Sequence, residues 1–352
     1  MKKNREFLQL AKDWRPEDQV PIGSWFCSEK LDGMRAFWDG GCTTGLFADE
    51  VPWANTAKDG RYLNRPRATG LWSRYGKPIQ APGWWLQRLP AFPLDGELYM
   101  GRGKFQELIS ATKKLVPEDW SWKRIYYKIF DSPSLAIVMQ DGRISNPNFK
   151  KEFLNIQVPR IGNKLAAKHP TMGIEQTREW LANQLPTSDT LELLPQFQLS
   201  WNHHEAEQQV QDMLVEITST GGEGLILRHP TRLWVPERTW GMLKVKRLQD
   251  ETARVIGYIW GRETDLGSKL AGLMGALVVT WAGRTFELSG FTDQERYLFN
   301  EAGERVDGEW DPGKPVRVGI QSLRFPIGSE IRFVFRELSD AGIPREARYY
   351  RG

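Results

Sequence analysis

Ser28-Glu29-Lys30-Leu31-Asp32-Gly33-Met34-Arg35 decides how the rest of this chain reads. Apolar alternation flanks it, Trp25-Phe26-Cys27 on one side and Met34-Arg35-Ala36-Phe37-Trp38 on the other. That period of two predicts two short strands of the kind a hairpin-rich antiparallel sheet supplies, with Lys30 in a loop carried between them. A lysine attacks phosphorus only as the neutral amine, so it needs nearby cations or partial burial to lower its proton affinity. Asp32 can orient it, Gly33 permits a tight turn, and Arg35 can reach a phosphate or ribose oxygen. The same residues standing alone also fit a solvated charged turn.

They do not stand alone. Ser73-Arg74, an acidic turn Asp95-Gly96-Glu97, a strand-like Tyr126-Tyr127-Lys128-Ile129-Phe130-Asp131, Glu223-Gly224-Leu225-Ile226-Leu227-Arg228 and Leu243-Lys244-Val245-Lys246 follow in that order. This ordered series resembles the motifs of covalent nucleotidyltransferases. With the C-terminal region it is similar to ATP-dependent DNA ligases of the minimal bacterial and phage type. The resemblance covers roughly the whole chain, densest in residues 25–40, 92–105, 221–262 and 273–292 and weakest in 48–70 and 140–200.

The resemblance implies an α+β protein. Residues 1–246 would form an adenylyltransferase domain of ATP-grasp-like nucleotidyltransferase architecture with antiparallel sheets, and residues 247–352 an OB-fold barrel that binds DNA. It also implies the reaction: sealing of 5′-phosphate/3′-hydroxyl nicks in duplex DNA through a lysyl-AMP on Lys30 and a DNA-adenylate. Lys30 would be the nucleophile, Asp32 its orienting partner, and Lys244 and Lys246 the cations on the α-phosphate. Ser28, Glu29, Arg35, Arg74 and Phe130 would complete the nucleotide site, Phe130 by stacking on adenine. Glu97 and Glu223 would contact Mg²⁺ or ribose, with Mn²⁺ an alternative ion. Some phage ligases carry an acidic residue two places before the lysine, where this chain has Ser28, and the chain's end lacks the Arg-x-Asp-Lys form of larger relatives. An RNA ligase or a capping guanylyltransferase would share the lysine chemistry, and a noncatalytic OB-containing DNA-binding protein is a third class. The compact module directly after Lys246 argues against the first two, and the joint presence of Lys30, Glu97, Glu223, Lys244 and Lys246 against the third.

Composition is compatible with this and excludes other classes. At 352 residues, 40% hydrophobic and 26% charged, the chain suits two globular domains. Neither an apolar signal core nor a membrane-length apolar run occurs, so the expectation is a cytoplasmic protein acting as a monomer, without membrane partners. The net charge of +4 is unevenly placed: residues 247–352 hold 15 Lys and Arg against 16 Asp and Glu, so the basic excess lies in residues 1–246. Cys27 and Cys42 read as reduced core thiols, and His169, His203, His204 and His229 show no metal-ligand spacing.

Helical periodicity predicts helices over about 104–115, 176–184 and 205–218. Residues 48–70, rich in Asn, Asp, Gly, Pro and Arg, read as an irregular insertion, either DNA-facing or an ordinary surface excursion. After Lys246 short strands are expected over 253–260, 275–281, 285–288, 330–335 and 348–350, with a helical segment near 293–299. Lys244 and Lys246 alternate along a predicted strand and should share one face. Gly101-Arg102-Gly103-Lys104 lacks the spacing of a Walker loop, and Arg102 or Lys104 reads better as a contact to DNA backbone. The resemblance makes residues 246–249 a hinge on which the OB domain rotates between ATP activation and DNA clamping.

Overall fold

Period-two alternation becomes sheet in both halves of the chain. The computed structural model describes residues 7–14, 20–55, 67–139, 172–247, 249–262, 270–308, 311–339 and 341–350. Residues 56–66 of the insertion, His169, and Leu248 in the expected hinge lie outside them. The chain divides into two compact units, Lys2–Lys246 and Arg247–Gly352.

Two five-stranded sheets build the larger unit. The first runs β1 (Leu10–Asp13), β10 (Arg238–Val245), β9 (Leu225–Arg228), β2 (Phe26–Glu29) and β8 (Phe197–Gln198). The second runs β4 (Leu71–Ser73), β3 (Met34–Asp39), β5 (Pro93–Tyr99), β6 (Tyr126–Asp131) and β7 (Leu191–Leu193). The sheets are not wholly antiparallel, because β1 pairs β10 and β6 pairs β7 in parallel. Long chain excursions separate these partners, and parallel pairing needs such a crossover.

β2 and β3 do not pair with one another; each pairs within its own sheet. The lysine loop is therefore a crossing between sheets and not the tip of a hairpin. Local alternation specifies strands but carries no information on their partners. The acidic Asp95-Gly96-Glu97 is likewise no turn, since it lies inside β5. Its alternate side chains are polar because that face lines a polar cluster.

Helix His203–Ser219 packs on the first sheet through Ala206, Val210 and Leu214, a stripe at four-residue spacing that meets Cys27, Leu227 and Leu243. Asn202 caps it, its side-chain oxygen accepting from the backbone N–H of His204 (3.0 Å) and Glu205 (3.3 Å). In β3, Ala36 and Trp38 enter one core and Phe37 another, as alternation requires. Val51 and Trp53 are buried beside Phe37 and Trp72, so the described part of the insertion is rooted in a core. Among the described residues nine tryptophans are buried, which makes the tryptophan content chiefly a packing feature. Cys27 and Cys42 are both buried and free.

The smaller unit is a curled sheet of β11 (Gln249–Trp260), β12 (Met274–Trp281), β13 (Arg284–Leu288), β16 (Glu330–Phe335) and β19 (Arg348–Tyr349), in the order β13-β12-β11-β16-β19. Two small ribbons, β14 (Leu298–Phe299) with β15 (Arg305–Val306) and β17 (Glu337–Leu338) with β18 (Pro344–Arg345), complete it. Its edges meet at one parallel bridge, Ser289 with Arg348, where Tyr349 N–H donates to the Ser289 carbonyl at 2.8 Å. Among the described residues the strands do not form a continuous closed barrel, and β19 has only two residues with which to close it. The segment expected to be helical near 293–299 is a 3-10 turn, Gln294–Arg296, followed by β14. Among the described residues no helix is long and apolar enough to cross a membrane.

Candidate active site

Strand register places three distant residues at one sheet edge. β9 runs antiparallel to both β2 and β10, and Leu225 at its start faces Glu29 on one side and Val245 on the other. Lys30 follows Glu29, Lys246 follows Val245, and Glu223 stands two residues before Leu225, so all three reach the same end of the sheet. There Lys30 Nζ donates to Glu223 Oε2, and Lys246 Nζ pairs with Glu223 Oε1. The backbone fixes this further: Lys30 N–H donates to the Gly224 carbonyl at 2.8 Å. Gly224 sits at φ +152°, and a Cβ there would fall 2.2 Å from the Val245 carbonyl oxygen, so only glycine allows this approach. Burial alone would raise the Glu223 pKa, but the two ammonium groups outweigh it and hold the carboxyl below its usual range.

The second sheet supplies a polar row. Arg35 on β3 lies opposite Glu97 on β5, Glu97 opposite Lys128 on β6, and Lys128 opposite Glu192 on β7. Charge alternates across the four strands, and the Lys128 and Glu192 side chains pair directly. Arg35 turns diagonally to Asp95, its Nε and Nη2 each 2.6 Å from a carboxylate oxygen, and its guanidinium lies 4.5 Å from the centre of the Phe130 ring. Trp234 Nε1 donates to the same Asp95 at 2.9 Å. Gly33 brings the lysine loop against this row, since a Cβ there would meet the Leu98 carbonyl oxygen at 2.4 Å and Glu97 Cγ at 2.6 Å. Close approach, and not a tight turn, is what this glycine provides.

Glu97 is only partly exposed, and desolvation pushes its pKa from 4.5 to about 7; the charge of Glu223 adds to the shift, while Arg35 and Lys30 oppose it. Its folded pKa stands above its unfolded value, so the native state binds the extra proton between about pH 4.5 and 7, and the stability contribution falls as pH rises through that window. Glu97→Gln is therefore expected to stabilise the protein at pH 8 by about 1–3 kcal/mol, and to give no gain near pH 4. Thermal melts of both proteins at the two pH values check this; a wild type that is the more stable at pH 8 would sink the burial argument.

The remaining candidates are placed as follows. Ser28 is buried on β2, opposite Ile226, and Asp32 is exposed. Arg74 is exposed beyond β4 and bonds the Tyr75 hydroxyl at 2.5 Å. Lys244 pairs with Asp13 at 3.4 Å, while Lys246 pairs with Glu223. Phe130 is 9% exposed, with Arg35 across one face. Glu29 accepts from Arg102.

Four participants lie inside the stretches quoted from the sequence but were given no part in the nucleotide site there: Asp95, Arg102, and the buried pair Asp131–Arg228. Arg228 bonds Asp131, the Gln9 side-chain oxygen at 3.3 Å and the Phe130 carbonyl at 3.3 Å. It thereby ties β9 of one sheet to β6 of the other, directly behind Phe130.

Among the described residues no group of three or more His, Cys, Asp or Glu could hold a metal ion. The two carboxylates singled out for Mg²⁺ differ. Glu97 is a poorly solvated carboxylate that a divalent cation would favour in its ionised form, and Mg²⁺ commonly binds one or two carboxylates along with water and phosphate oxygens. Glu223 has each of its oxygens paired with a lysine.

Comparison with known proteins bears on the fold. Residues 267–352 match the family model described as a DNA ligase OB-like domain. A DNA ligase of Haemophilus influenzae is 25% identical over 332 residues, covering 94% of this chain and 87% of that protein. A solved structure from a study of Lig E DNA ligases, described as binding DNA with a minimal scaffold, superposes with a TM-score of 0.60 at 25% identity over 98% of both chains. A structure described as Pmar-Lig_PreS3 superposes at 0.58 with 16% identity, over 98% of this chain and 67% of that one, and shares the fold. The chain thus has the fold of a solved Lig E DNA ligase structure, and its smaller unit carries the OB-like family match. Within that class, the resemblance to minimal DNA ligases first carried by the motif series holds along both units.

Proposed function

We propose that the protein is an ATP-dependent DNA ligase that seals 5′-phosphate/3′-hydroxyl nicks in duplex DNA. The observation that carries this is the convergence of Lys30 and Lys246 on Glu223 at one sheet edge, beside Glu97, in a chain similar throughout to Lig E ligases.

Lys30 Nζ attacks the α-phosphorus of ATP. The Lys30 ammonium first gives up one proton to solvent; the N–P bond then forms, the bond to the β-phosphate oxygen breaks, pyrophosphate leaves with the bonding pair, and a second N–H proton passes to solvent. Forming the phosphoramidate removes the Lys30 charge, and Lys246 on the other oxygen leaves Glu223 paired throughout. AMP then passes to the 5′-phosphate of the nick, and the 3′-hydroxyl displaces it. Each step is an in-line displacement at phosphorus, so positioning and charge neutralisation dominate.

Lys246 and, once released from Asp13, Lys244 neutralise the phosphates, with Arg74 at the rim. Asp32 orients the nucleophile. Glu97 would hold Mg²⁺, with Mn²⁺ its substitute, and when bound the ion would offset phosphate charge. Arg35 is committed to Asp95, so it acts as a wall of the nucleotide site next to Phe130, the ring assigned to stack on adenine. Ser28 and Glu29 line the base side through their backbone. The partner is nicked duplex DNA, the protein acts as a monomer in the cytoplasm, the domains divide at Lys246, and the OB-like unit contributes DNA contacts.

Sealing of a singly nicked duplex by the purified protein with ATP and Mg²⁺ tests the reading. A ligated product is expected; labelled nucleotide transfer to protein without sealing of DNA would move the acceptor to RNA and overturn the proposal.

A further inference from the structure

Arg102 lies between Gly101 and Gly103, whose φ values of +106° and +70° fold the loop after β5 back on itself. The arginine, read from sequence as reaching outward to DNA, instead turns inward. Its Nε and Nη2 donate to Glu29 Oε1 at 3.1 and 2.8 Å, and its Nη1 donates to the Thr220 carbonyl at 3.0 Å and to the Thr220 hydroxyl. Every donor nitrogen is thus in use, and the side chain is only 35% exposed.

Glu29 immediately precedes Lys30. Thr220 lies three residues before Glu223, at the end of helix His203–Ser219, and the loop that bears Arg102 leaves the strand holding Glu97. The rigid guanidinium fork joins the three segments that carry the three central side chains, a geometry a lysine cannot reproduce. We propose that Arg102 is a positioning residue: it braces these segments so that Lys30, Glu223 and Glu97 keep their mutual placement when ATP enters. The inference rests on the lysyl-adenylate reading above. Displacing a reacting group by about 1 Å costs on the order of 100-fold in rate, which sets the scale of the expected effect.

Single-turnover transfer of AMP from labelled ATP to the full chain, with Mg²⁺, tests this alongside thermal melts. Arg102→Ala is expected to lower the maximal transfer rate about 10- to 100-fold while the half-saturating ATP concentration moves less than about threefold. Arg102→Lys should recover little of the rate. Adding Glu29→Ala to Arg102→Ala should cost less than it does in the wild type, because the two side chains act as one unit. A normal transfer rate in folded Arg102→Ala, with binding of nicked DNA weakened instead, overturns the brace and restores the outward role. Absence of any adduct in the wild type overturns the underlying reading, and the brace with it.

Discussion

Lys30→Ala is expected to melt as the wild type does and to form no covalent nucleotide adduct, a loss of at least about 10,000-fold in nucleotide transfer. The argument is one of charge and backbone. The Lys30 side chain is 23% exposed and fills no core, and the hydrogen bond from its backbone N–H to Gly224 survives in alanine. Glu223 keeps Lys246, so no buried carboxylate is stranded. What disappears is the amine of the lysine loop, which pairs with Glu223 and adjoins the polar row. Intact-mass measurement after incubation with ATP and Mg²⁺ reads the adduct directly. An adduct of equal yield in the variant would assign the nucleophile elsewhere, with Lys246 the next residue to replace.

The second large effect concerns folding. Arg228→Met is expected to destabilise the larger unit by about 3–5 kcal/mol, because it leaves Asp131 charged and only 5% exposed without its cation. For a unit of this size that corresponds to a fall in Tm of roughly 10–15 °C. The Ser132 backbone N–H, 2.7 Å from Asp131 Oδ1, is too little to compensate. Adding Asp131→Leu should return much of the loss, since removing both charges also removes the desolvation penalty. A single variant that melts within 2 °C of the wild type would show that water or a rearranged Gln9 replaces the guanidinium.

The contrast between these two sites shows what the sequence made legible. Lys30, Glu223 and Lys246 could be singled out because each sits in a short stretch of unusual residue types beside an apolar run, and such local patterns survive without knowledge of the fold. Helix His203–Ser219 was legible for the same reason, its buried side chains recurring every fourth residue. Partnership was not legible. Arg35 with Asp95 and Arg228 with Asp131 join residues 60 and 97 positions apart, and which strand lies beside which is decided by the packing of both sheets together. The inward turn of Arg102 was hidden for the same reason: the residues that capture it lie 73 and 118 positions away. Alternation around Lys30 correctly marked two strands, yet nothing local revealed that they belong to different sheets.

The sheet edge has a further consequence for how the protein is made. Lys30 emerges early in synthesis, but its carboxylate partner is 193 positions later in the chain, and Lys246 follows only after β10. Chains are built from the N-terminus at about 5–20 residues per second, so Lys30 spends on the order of ten seconds or more waiting before its partners exist. During that interval the lysine is an ordinary solvated ammonium with no means of holding a nucleotide. On the proposed reading, nascent and truncated chains would consume no ATP, and the onset of activity would report completion of the entire larger unit.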